Sequence, residues 1–143
     1  MLGCAGAVIV LDQAGKTLVT TMLVPGHLYG WGRGIGLRRT ETPRIGALPL
    51  SDRQAIVAWI ALVACLAFLL AAASPLLTST TVGFGLSLGG ASGNLVDRIV
   101  RGAVIDFIAV GRWPAFNLAD AAMVAGAVLV ALSLLGAGGP TPV

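Results

Sequence analysis

Asp106 and Asp120 are the residues best placed to do chemistry. They lie fourteen positions apart in the stretch GGASGNLVDRIVRGAVIDFIAVGRWPAFNLADAAMVAG, residues 89–126, beside apolar runs long enough to cross a membrane. A carboxylate near lipid is costly and usually has a purpose. Two carboxylates brought together cannot both ionise cheaply, so they share a proton and titrate as a pair. One draws a proton from water, while the other, protonated, polarises a scissile carbonyl and helps the amine leave. That is the chemistry of an aspartyl protease. Asn117 and Asp120 are three apart and share a helix face, as do Asn94 and Arg98, four apart. If the polar ends of these two helices meet, the four side chains converge, and the connector between them delivers Asp106. The amides and the guanidinium would then hold the substrate backbone and the developing oxyanion, and a helix N-terminus at Asp120 favours an anion by about 0.3–1 kcal/mol. Spacing alone leaves a plainer alternative open, in which these acids are solvated or paired with Arg98, Arg101 or Arg112. Asp97 is assigned to such surface pairing.

The elements that must position these residues follow from hydropathy. The chain has 143 residues, enough for one domain spanning 1–143, and is 57% hydrophobic and 10% charged, with a mean hydropathy of +0.93. Soluble domains carry roughly 25% charged residues, so an integral membrane protein is expected. Four transmembrane helices are predicted, at about 2–24, 54–73, 76–94 and 116–135. In the first, Asp12 and Lys16 are four apart with the acid N-terminal to the base, as a helical ion pair prefers. The pair either lowers the cost of two charges near lipid or latches the structure beside the site, and spacing does not choose. The eleven residues before Asp12 would leave the acid near mid-bilayer, which suggests a start upstream or a thinly anchored helix. Gly85, Gly89 and Gly93 make a smooth strip for helix packing. Residues 103–110 are β-branched enough to be extended, and Pro114 suits the start of the last helix.

The two odd connectors, 25–53 and 97–115, must share one side of the membrane, and every Arg lies in them or at their edges. Tyr29, Trp31, Trp59 and Trp113 gather toward that side, as an aromatic belt does. Arg38 and Arg39 suit lipid phosphate or a solvated basic face equally. His27, the single histidine, has no ligating neighbours and reads as a surface residue; Cys4 and Cys65 read as small apolar packers. The start MLGC has no charged or apolar leader before it and is not taken as a lipidation signal. The charge pattern alone would put the connectors in the cytoplasm.

Three motifs in order, GNLVDR, VIDF and FNLAD, resemble the lipoprotein signal peptidases (signal peptidase II), and LDQAGK in the first helix is similar to that family's D-Q-x-x-K. The resemblance implies that Asp106 and Asp120 are the catalytic pair, supported by Asn94, Arg98, Asn117, Asp12 and Lys16. It implies four helices with both ends cytoplasmic and a small extracytoplasmic β-cradle in the first connector. The reaction implied is hydrolysis of the bond before a diacylglyceryl-modified Cys of a prolipoprotein. No metal, cofactor or nucleic acid is expected, and a monomer in contact with membrane lipid is. The implied location is the bacterial cytoplasmic membrane, multi-pass, with the site facing outward. That orientation is preferred to the one from charge because several Arg can serve the site or lipid phosphates. One departure stands out: the family's N-x-G-A-A-F-like motif is replaced by RRTETPRIGALPL, without Asn, and only Ile45, Gly46 and Ala47 are similar. A weakly catalytic paralogue that binds lipidated segments or a membrane partner is therefore the alternative, and a helper subunit of a transporter a more distant one.

Overall fold

A computed structural model describes residues 1–30, 34–42 and 78–137. The expected helix at 54–73 and the Ile45–Ala47 motif lie outside the described residues. In chain order the elements are α1 (Leu2–Met22), β1 (Leu28–Gly30), β2 (Ile35–Thr42), α2 (Thr78–Arg101), β3 (Val104–Val110) and α3 (Leu118–Ala137). The described chain is thus mostly helical, with a small antiparallel sheet in the order β1-β2-β3. The expectation of an all-α membrane protein with a small β-cradle in the first connector holds in part: the sheet draws strands from both Arg-rich connectors, so it is not confined to the first. The sheet also holds β1 and β2 of the first connector and β3 of the second together at one end of the described helices. Among the described residues one helix, α1, is long and apolar enough to cross a membrane, and Leu118–Ser133 forms a shorter apolar run.

Local sequence explains the boundaries. Leu23 ends α1 in an extended conformation, ahead of Pro25 and a left-handed Gly26. Within α1, the hydroxyls of Thr17, Thr20 and Thr21 donate to carbonyls one turn back at 2.8–3.0 Å, which satisfies them along an apolar helix. α2 runs seven residues past the predicted end at 94 and stops at Gly102, whose φ of 74° is the left-handed conformation that favours glycine at a helix C-terminus. Residues 103–110 are extended as expected. Pro114 precedes the last helix rather than opening it, and Asn117 provides the cap.

The packing of α2 depends on two glycine strips, of which the sequence pattern exposed one. A side chain at Gly85 or Gly89 would meet the carbonyls of Met1 or Ala5, and one at Gly93 would meet the Asp12 carboxylate, so this strip seats α1. Gly83 and Gly90, on another face, lie against Gly126 and Ala119 of α3. Large apolar side chains remain outside, such as Leu2, Val10 and Leu11 on α1 and Val124, Val128 and Leu135 on α3, a distribution suited to lipid. β2 is tied to α1 by Arg39, which donates to the Thr20 carbonyl at 2.9 Å.

Overpacking a tight backbone crossing costs about 1–3 kcal/mol. Gly90→Leu is therefore expected to lower the unfolding temperature in detergent by several degrees, whereas Gly6→Ala, with nothing within 4 Å of the added carbon, should leave it unchanged or slightly raised.

Candidate active site

The polar core begins at Lys16, which is fully buried with Asp12, Asp97 and Asn117. A lysine ammonium has three protons to donate, and three acceptors surround this one. Asp12 Oδ2 lies 2.6 Å away and Asp97 Oδ2 2.7 Å, with Asn94 Oδ1 at 3.0 Å. Asp97 is equally well served. Its Oδ1 accepts from Gln13 Nε2 at 3.0 Å and from Arg101 Nη1, and its Oδ2 also accepts the backbone N–H of Ile105 at 3.2 Å. Gln13 completes the seam by donating to the Gly93 carbonyl and accepting from Arg101. Burial of ions is tolerated when they are paired and their remaining hydrogen-bonding positions are filled; here every buried ion is paired, and Asp12 Oδ2 has its ion pair with Lys16 and, among the described residues, no hydrogen bond besides.

The two candidate catalytic carboxylates hang from this core through a pair of amides. Asn94, from α2, passes the contact on: its Oδ1 faces Lys16, and its Nδ2 donates to Asp120 Oδ1 at 2.8 Å. Asn117 touches both acids, with Nδ2 donating to Asp106 Oδ1 at 2.8 Å and its backbone N–H donating to Asp120 Oδ2 at 3.2 Å. The two amides also meet, Asn117 Nδ2 lying 3.1 Å from Asn94 Oδ1. Asn117 Oδ1 accepts the backbone N–H of Asp120 at 2.9 Å, so the residues cap the first turn of α3 reciprocally, in the manner of a capping box. Asp106 sits on β3 opposite Thr40 of β2 and is 8% exposed.

The structure thus brings Asp12, Lys16, Asn94, Asp106, Asn117 and Asp120 into one connected network. Asp12 and Lys16 are both an ion pair and a latch, since Asp12 Oδ1 also accepts the N–H of Ala119 at the start of α3. Asp97 corrects the sequence reading: it is buried at the centre, not paired at the surface. The missed signal was its spacing of four from Gly93 and seven from Gly90, which places it on the packed side of α2. Arg98, expected to converge with the others, is half-buried and bonds to none of them among the described residues. His27 is exposed as expected, edge-on to Tyr29.

Residues 4–136 match the family described as Signal peptidase (SPase) II. The chain belongs to the signal peptidase II family, a family of proteases. Among similar signal peptidases, the lipoprotein signal peptidase of Syntrophomonas wolfei is 36% identical, over 90% of this chain and 87% of that protein. That of Rhodococcus jostii is 33% identical, over 92% of this chain and 71% of that protein. The enzyme of Mycolicibacterium smegmatis is 58% identical in a local match, covering 38% of this chain and 26% of that protein. The fold resembles a bacterial membrane enzyme solved by the in meso method, with a TM-score of 0.88 over 98% of this chain and 92% of the other, at 23% identity.

Removing one partner from a buried ion cluster costs about 3–5 kcal/mol. In this signal peptidase II chain, Lys16→Met leaves buried Asp12 without its counter-ion and Asp97 with Arg101 alone, and should sharply lower the unfolding temperature in detergent. Glu41→Ala, which breaks the more exposed 2.7 Å pair with Arg39, should change stability by less than about 1 kcal/mol.

Proposed function

We propose that this chain is a membrane aspartyl endopeptidase that removes the signal peptide from a diacylglyceryl-modified prolipoprotein by hydrolysing the bond just before the lipidated Cys. Asp106 and Asp120 are its catalytic pair. The observation that carries this reading is Asn117, which hydrogen-bonds both carboxylates and holds them as partners beside a buried polar core. One carboxylate, ionised, takes a proton from water as its oxygen attacks the scissile carbonyl carbon. The other, protonated, donates to the carbonyl oxygen. Collapse of the tetrahedral intermediate breaks the C–N bond, a proton passes to the leaving amine, and the pair returns to its singly protonated state. Asn94 and Asn117 fix the carboxylates so that little reorganisation accompanies the charge movement.

The proposed setting is the bacterial cytoplasmic membrane, crossed four times by a monomer, with the strand-bearing end outward. The shared sheet supports placing both connectors on one side. Apolar α1 and the outward apolar faces of α1 and α3 support contact with lipid. An outward site would meet substrates after their lipid has been attached.

Each carboxylate acts through proton transfer worth about 10²–10⁴-fold. With purified protein in lipid and a diacylglyceryl-modified prolipoprotein, the parent should release the signal peptide. Asp106→Asn and Asp120→Asn should each lose a thousandfold or more, while remaining folded. Retention of cleavage by either variant would overturn the dyad. Orientation is read separately. Trp113, 71% exposed beyond β3, is replaced by Cys in a background lacking Cys4 and Cys65. A membrane-impermeant thiol reagent should label it in intact spheroplasts; protection until lysis would reverse the topology.

A further inference from the structure

The buried ions contact the dyad-bearing segments in a pattern that repeats. Asp12 Oδ1 accepts the backbone N–H of Ala119 at 3.0 Å, and Ala119 immediately precedes Asp120. Asp97 Oδ2 accepts the backbone N–H of Ile105 at 3.2 Å, and Ile105 immediately precedes Asp106. Each buried carboxylate therefore holds the peptide next to one catalytic aspartate. Lys16 binds both carboxylates, at 2.6 and 2.7 Å. The far side of the Ile105 peptide is held as well, its carbonyl accepting from Asn117 Nδ2 at 3.3 Å. α1 thus reaches both catalytic segments although it supplies no reacting group.

We propose that Asp12, Lys16 and Asp97 act as a spacing clamp that sets the distance between the two catalytic carboxylates, with Asp97 the positioning residue for Asp106. The proposal rests on the dyad reading above. Lys16 draws Asp12 and Asp97 together; Asp12 fixes the entry to α3, and Asp97 fixes the entry of β3. Arg101 and Gln13 close the cluster on its outer side and hold the Asp97 carboxylate from turning away. The three side chains of the clamp are fully buried. Its loss should therefore misplace the acids without altering the surface that binds prolipoprotein. A displacement of about 1 Å can cost about a hundredfold in rate.

The test uses the full chain in lipid and the diacylglyceryl-modified prolipoprotein, with kcat and KM expressed per folded molecule. Asp97→Ala should lower kcat about a hundredfold with KM within twofold of the parent. Asp97→Asn keeps an oxygen for the Ile105 N–H and should recover at least about tenfold of that loss. Ser133→Ala, which removes a 2.6 Å bond to Ser79 some 20 Å along α3, serves as a destabilised control and should keep the parental kcat. A purely structural role predicts an unchanged kcat in every folded variant, and that result overturns the clamp. So does a loss confined to KM, or failure of both Asp97 variants to fold. Cleavage by Asp120→Asn would sink the dyad and the clamp together. An inactive Asp120→Asn beside a fully active Asp97→Ala would sink the clamp alone.

Discussion

A lysine ammonium removed from water has to be surrounded by acceptors, and much of this molecule is arranged to supply them. Lys16 is ion-paired with Asp12 on its own helix and with Asp97 on α2, and donates to Asn94 on α2. Meeting that demand fixes how α1 and α2 are turned about their axes and how far along each other they sit. The carboxylates that answer the ammonium still have hydrogen-bonding positions to fill, and they fill them with backbone N–H groups at the starts of β3 and α3. A single desolvated cation thereby organises segments from three parts of the chain.

The close approach this needs is possible because α2 is poor in side chains where it meets its neighbours. Gly89 and Gly93 let α1 come near enough for Asp12 to lie against α2, and Gly90 lets the first turn of α3 pass over the same helix. Within lipid no hydrophobic driving force separates helix from solvent, so close packing and satisfied polar contacts carry the association. The glycines and the buried ions are thus two halves of one arrangement. The first sets the distance, and the second sets rotation and register.

Much of the site was legible in the sequence because its residues recur at helical spacing. Asn117 and Asp120 were readable as a pair on one face, and so were Asp12 and Lys16. The extended character of 103–110 followed from its β-branched residues. What escaped was tertiary. Asp97 looked like a surface acid because it stands beside Arg98 and close to Arg101, and only the glycine spacing on α2 betrayed its buried face. α2 outruns the end that hydropathy predicts for the same reason: polar residues after Asn94 suggest a connector, yet Asp97 and Arg101 have partners on α1. The family resemblance implies a sheet in the first connector alone, and strand pairing across more than sixty residues, as between Thr40 and Asp106, leaves no local trace that would add the second. Arg98 shares a face with Asn94, but among the described residues no bond joins its guanidinium to the acids.

The Asp12–Lys16 pair also bears on the order of biogenesis. A ribosome makes α1 well before it makes α2, since Lys16 and Asp97 are 81 residues apart in the chain. During that interval the nascent first helix holds a lysine and an aspartate one turn apart, each neutralising the other while neither has its later partners. The pair is thus a provisional companion that makes an otherwise forbidding insertion tolerable. The contacts of Lys16 with Asp97 and Asn94, and of Asp12 with the Ala119 N–H, need helices that are made later. The same two residues can thus be partners to each other before they are partners to the rest of the molecule.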